Sequence, residues 1–93
     1  PDVIWAKAAG NYVEVVTKGK SYLARLTLTE LSRLLDAAGG RHVRVHRSHI
    51  VNLDHVQAIE PTGEGDVTLR LDTGDEVPGS RRYRAQFEPE RAA

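Results

Sequence analysis

The sequence predicts a mostly-β domain of roughly seven to ten short strands around one central helix. Three features carry that prediction. The chain has 93 residues and a mass of 10.3 kDa, which suits one small domain with one core. Its β-branched and aromatic runs are short and separated by Gly, Asn and Asp turn signals. A single segment shows helical spacing.

Val3-Ile4-Trp5 is a short apolar start, and Gly10-Asn11 is a turn signal before Tyr12-Val13-Glu14-Val15-Val16-Thr17. Lys18-Gly19 marks a tight turn, and Ser21 to Leu26 makes the return strand. Thr27-Leu28-Thr29-Glu30 reads as a capping box, in which the hydroxyl caps the first turn and the Glu reaches back. Leu28, Leu31, Leu34, Leu35 and Ala38 follow as one apolar stripe, and Gly39-Gly40 stops the helix after about three turns. In His42-Val43-Arg44-Val45-His46, the valines point one way and His42, Arg44 and His46 the other. Ile50 to Leu53, Val56 to Glu60, Val67 to Leu71 and Glu76 to Pro78 read as further strands, and Ser80 to Phe87 as a short terminal helix.

Composition excludes several function classes. There is no cysteine, so disulfides, thiolate zinc sites and cysteine nucleophiles are out, which suits a reducing cytoplasm. No apolar run approaches the roughly 20 residues that span a bilayer, so no membrane contact is expected of this segment. The chain has no methionine, and Pro1-Asp2 leads almost directly into a strand, so a domain cut from a longer protein is expected. His42, His46, His49 and His55 do not read as a metal site. On a strand His42 and His46 lie about 13 Å apart, and no carboxylate cluster completes a tetrahedral set. No nucleophile elbow, HExxH or Gly-rich phosphate loop is present, so no enzyme, cofactor or metal is expected.

Lys plus Arg is 13 and Asp plus Glu is 13, but the balance is uneven along the chain. Arg41 to Ile50 holds Arg41, Arg44 and Arg47 with no acid, Val15 to Thr29 holds Lys18, Lys20 and Arg25 with none, and Arg81-Arg82-Tyr83-Arg84 adds a third cationic run. The acids gather between Glu60 and Glu76. Such polarisation suits docking on phosphate, unless the runs scatter on folding. Alternation breaks after His46, which puts Arg47 and Ser48 at a strand end. There the Arg fork matches guanine O6 and N7 or a phosphate, and Ser48 and His46 can donate to phosphate oxygens. The competing reading is an edge strand guarded by charge. Ser80 before Arg81 and Arg82 caps a turn suited to an anion, or else the segment is a solvated face with Tyr83 and Phe87 inward. Asn11 contacts DNA or simply makes a turn. Aromatic residues are too scarce for a single-strand stacking platform, which favours duplex binding through loops.

Four segments resemble the LytTR family of bacterial DNA-binding domains, in the family's order and over essentially the whole chain. They are Val3-Ile4-Trp5 with Ala9 to Val15, Leu26 to Leu31, Val43 to Leu53, and Leu71 to Gly74 with Val77 to Tyr83. The resemblance implies a mostly-β fold of about ten short strands in small antiparallel sheets, with one central α-helix packed between sheets. It implies a single domain over residues 1–93, the output domain of a cytoplasmic transcription regulator, commonly a response regulator of a two-component system. Its expected partner is double-stranded DNA at paired direct repeats, read by loops in successive major grooves, with a homodimer formed on DNA or through an N-terminal domain. The expected DNA-binding residues are Asn11, Tyr12, Lys18, Arg44, His46, Arg47, Ser48, Arg81 and Arg82. Three positions depart from the pattern: His49 replaces Tyr or Phe behind Arg47, Gly79 replaces Val or Ile and is expected to loosen the last loop, and Lys7 stands where an acid is common. The alternative function is a protein-interaction module whose basic loops bind an acidic partner.

Overall fold

Gly10, at a φ of 64°, turns strand β1 (Trp5–Ala9) back onto β2 (Tyr12–Thr17), a conformation open to glycine without strain. The second hairpin closes through Lys18-Gly19 into β3 (Lys20–Ala24). The computed structural model describes residues Val3 to Phe87, so the expectation about Pro1 and Asp2 lies outside the described residues. After helix α1 (Leu28–Ala37) come β4 (His42–His46), β5 (His49–Asn52), β6 (Val56–Pro61), β7 (Val67–Leu71), β8 (Glu76–Gly79) and the single helical turn α2 (Arg84–Phe87). One antiparallel sheet has the order β3-β2-β1-β5-β4 and the other β6-β7-β8.

The described residues thus hold eight strands, within the seven to ten read from the sequence. Each alternating run makes one strand, and the chain closes as a 3-10 turn under a local cap after β5 and again after β8. Asn52 Oδ1 accepts from Asp54 N–H before the turn at Leu53–His55, and Ser80 Oγ accepts from Arg82 N–H at the turn Arg81–Tyr83. The capping box forms as expected: Thr27 Oγ1 accepts from Glu30 N–H at 3.0 Å, and Glu30 Oε1 accepts from Thr27 N–H at 2.8 Å.

The layers correct one expectation. Ile50 and Val51 are neighbours on β5, point to opposite faces, and are both 0% exposed. Ile50 packs with Ala6, Val13, Leu28, Leu31 and Leu35, so α1 covers one face of the five-stranded sheet. Val51 packs with Val45, Leu69, Leu71, Val77 and Phe87, so the three-stranded sheet covers the other. The larger sheet is therefore the middle layer, and the helix lies outside it rather than between sheets. A ten-residue helix with one buried seam needs one covered face, which Leu28, Leu31 and Leu35 supply. Leu34 is left 61% exposed and Ala38 is exposed, so neither belongs to the stripe.

Gly79 does not loosen its loop. It is buried at the end of β8, where a Cβ would stand 2.7 Å from Val67 Cγ2 and 3.0 Å from Leu69 Cδ1. The missing side chain lets β7 and α2 close over the core.

Candidate nucleic-acid interface

Antiparallel pairing brings two distant turns together. Lys7 of β1 faces His49 of β5, so the β1–β2 turn at Gly10-Asn11 and the β4–β5 turn at Arg47-Ser48 leave the same end of the sheet. The Ala8 N–H donates to the Ser48 carbonyl at 2.9 Å and ties them. The third segment is fastened where Ser80 N–H donates to the Val45 carbonyl at 2.7 Å, which sets the Arg81–Tyr83 turn beside β4.

Arg47 lies at the centre of the result. It lines a cleft of about 470 Å³ with Asn11, Tyr12, Arg25 and Arg44. It also lines a second cleft of about 420 Å³ with His46, Ser80, Arg82 and Tyr83. Asn11, Arg47 and Arg82 thus share one end of the molecule. Arg47 and Arg82 are exposed, and neither side chain pairs with an acid among the described residues. Two exposed guanidinium groups outside any ion pair suit an anionic partner.

Other expected residues sit differently. Arg44 Nη2 donates to the Arg47 carbonyl at 2.8 Å, so part of its fork holds the turn. The Ser48 hydroxyl lies 2.9 Å from both His46 Nδ1 and His49 Nδ1 and is engaged inside the protein. Arg81 turns toward the acidic side: Asp66 Oδ1 accepts its backbone N–H at 3.0 Å, and its side chain packs over Gly65. Lys18 is not brought to this end. β2 runs from Tyr12 to Thr17 away from Asn11, which at about 3.3 Å per residue puts Lys18 at the opposite pole, in a cleft with His55 and Asp72.

The packing around this end involves residues for which the sequence suggests no DNA contact. Arg25 shares the first cleft, and only its acid-free surroundings hinted at a role. Trp5 stacks on His49 with ring centroids 6.1 Å apart and planes 16° from parallel, and its Nε1 donates to Asp75 Oδ2 at 3.2 Å. His49 meets His46 edge-on at 5.3 Å. Burial first, then the charges of His46 and Lys7, push the His49 ring down from 6.5 to about 4, so it is neutral near pH 7.

Glu30 lines the first cleft with Arg47, whereas the acids between Glu60 and Glu76 gather on the three-stranded sheet and its turns. Arg70 bridges Glu60 at 3.1 Å and Glu76 at 3.2 Å across the three-stranded sheet. No group of three or more His, Asp or Glu is placed to hold a metal among the described residues, and no described helix is long and apolar enough to cross a membrane.

The chain as a whole is similar to known DNA-binding domains and regulators. The family model described as "LytTr DNA-binding domain" matches residues 1–89. The chain is 36% identical over 88 residues to the heme-containing CO-sensing transcriptional regulator RcoM 2 of Paraburkholderia xenovorans, which covers 92% of this chain and 32% of that protein. It is 32% identical over 82 residues to the sensory transduction protein LytT of Bacillus subtilis, covering 88% of this chain and 33% of the relative. It is 34% identical over 87 residues to the transcriptional regulatory protein YpdB of Escherichia coli K12, covering 92% and 35%. The chain therefore spans about a third of the length of these relatives. A solved LytTr DNA-binding domain from Bacillus cereus superposes with a TM-score of 0.81 at 30% identity, over 94% of this chain and 78% of that one.

Proposed function

The chain belongs to the LytTR family of DNA-binding domains, and from that premise we propose that it binds double-stranded DNA sequence-specifically as the output domain of a cytoplasmic transcription regulator. The turns carrying Asn11, Arg47 and Arg82 enter successive major grooves, at paired direct repeats that seat two copies of the chain.

One observation supports the reading above the rest: Arg47 lies between the cleft that holds Asn11 and the cleft that holds Arg82. Three segments far apart in sequence are thereby aligned for one ligand. A planar guanidinium at the centre of such a row takes guanine O6 and N7 bidentately, while the flanking cations take phosphates. Arg25 and Tyr12 extend the row on one side, and Arg82 on the other. Affinity comes mainly from phosphate contacts and selectivity from a few bases.

Selection from a random duplex pool identifies the site, and titration at several salt concentrations tests the mechanism. Affinity should fall steeply, with a log–log slope of about −0.9 for each phosphate neutralised. A pool that yields no preferred sequence, or binding indifferent to salt, rejects the reading.

A further inference from the structure

The hydrogen bonds around Ser48 determine where His46 keeps its proton. Ser48 N–H lies 3.2 Å from His46 Nδ1, and an amide N–H only donates. Nδ1 therefore carries the lone pair, and the ring proton of neutral His46 is on Nε2. Ser48 Oγ lies 2.9 Å from the same Nδ1, so its hydroxyl donates there. The hydroxyl oxygen is then left to accept from His49 Nδ1, also at 2.9 Å. One proton arrangement satisfies all three contacts, with protons running from His49 through Ser48 to His46. The Trp5 stack and the edge-on His49 contact hold the two rings in place for it.

His46 Nε2 has no protein partner among the described residues. Its ring lines the cleft shared by Arg47 and Arg82. That mouth offers guanidinium donors and one imidazole N–H, with no carboxylate on its lining. Resting on the duplex reading above, we propose that His46 is a second base-reading residue: its Nε2–H takes the N7 acceptor of the purine next to the base read by Arg47, and Ser48 and His49 are positioning residues that fix its tautomer.

The chemistry is selective because a single N–H needs an acceptor edge. Purine N7 supplies one in the major groove, whereas cytosine presents its N4 amino donor and is refused. A phosphate oxygen is the competing acceptor, and it carries no sequence information.

The test starts from the duplex selected by the intact chain. Each purine of the site is replaced in turn by its 7-deaza analogue, which removes only N7. One substitution, adjacent to the position whose preference Arg47→Ala relaxes, should weaken wild-type binding about tenfold, the worth of one good hydrogen bond. His46→Asn keeps an acceptor near the Nδ1 position for Ser48 N–H but has no donor at the Nε2 reach. It should lose about tenfold on the natural duplex and be indifferent to that 7-deaza substitution. His46→Gln, whose amide reaches the Nε2 position, should restore the sensitivity, and it remains informative if His46→Asn fails to fold. Wild-type binding blind to every 7-deaza position overturns the proposal. So does His46→Asn that weakens all duplexes equally, which marks a phosphate contact, or that binds as wild type. Each of those outcomes leaves salt-dependent, sequence-selective binding intact, whereas loss of that binding in the wild type rejects the duplex reading itself.

Discussion

Trp5 of β1 and His49 of β5 lie face to face, with centroids 6.1 Å apart, and couple the acidic β7–β8 turn to the turn that carries Arg47. Trp5 is the only tryptophan in the chain, so its fluorescence reports directly on this stack.

Stability should fall in mild acid through His49. Its folded pKa of about 4 lies below the ordinary 6.5. Between those values the unfolded chain takes up a proton that the folded chain refuses, so folding weakens as pH drops from 6.5 to 4 and the effect is absent above 6.5. For a half-exposed ring the loss is roughly 1–2 kcal/mol. Urea melts followed by Trp5 fluorescence at pH 7 and pH 4.5 measure it, and His49→Phe should remove this part of the slope while keeping the stack.

Arg47→Ala should cost about 1–3 kcal/mol of duplex affinity and relax the preference at one base position. Lys18→Ala, at the far pole, should change affinity by less than about twofold under the same salt, because charges beyond a Debye length of about 8–10 Å are screened. Fluorescence anisotropy on the selected duplex compares them. Equal losses for both variants would mean that the duplex lies along the sheet rather than across its end.

Arg44→Ala separates contact from support. Removing its bond to the Arg47 carbonyl frees the turn, and affinity should drop about threefold to tenfold. If Arg44 acts only by holding the turn, the salt slope is unchanged; a slope smaller by about one unit identifies a phosphate contact as well.

Gly79→Val restores the residue type usual in the family and should nonetheless destabilise this chain by about 1–3 kcal/mol, since its Cβ meets Val67, Leu69 and Phe87 inside the core. Chemical denaturation of the variant measures the loss. A neutral or stabilising result would show that β7 and α2 shift apart easily.

Local chemistry made most of the fold legible in advance. A β-branched and aromatic run marked β2, alternation marked β4 and β7, Thr27 and Glu30 marked the start of α1, and Gly10-Asn11 and Lys18-Gly19 marked the hairpins. What escaped was everything that depends on pairing across long stretches of chain. The stripe of α1 says that one face is covered but not by which layer, so the place of the helix was misjudged and Leu34 was counted as core. Lys18 and Asn11 are close in sequence, yet the length of β2 carries them to opposite poles. Arg44 and Ser48 have the right chemistry for DNA, and only the folded chain turns Arg44 Nη2 to the Arg47 carbonyl and the Ser48 hydroxyl to the two imidazoles. Trp5 and Asp75 meet over a separation of 70 residues, for which no local pattern exists.

The middle sheet is buttressed on both faces, and its turns spring from β1, β4 and β5, the strands best anchored there. Stiffness of that kind lets the side chains at the tips vary without disturbing the body they stand on. A library randomised at Asn11, Arg47 and Arg82 should therefore retain its folded yield while its preferred sequences diverge, which makes this domain a scaffold for programming new target sites.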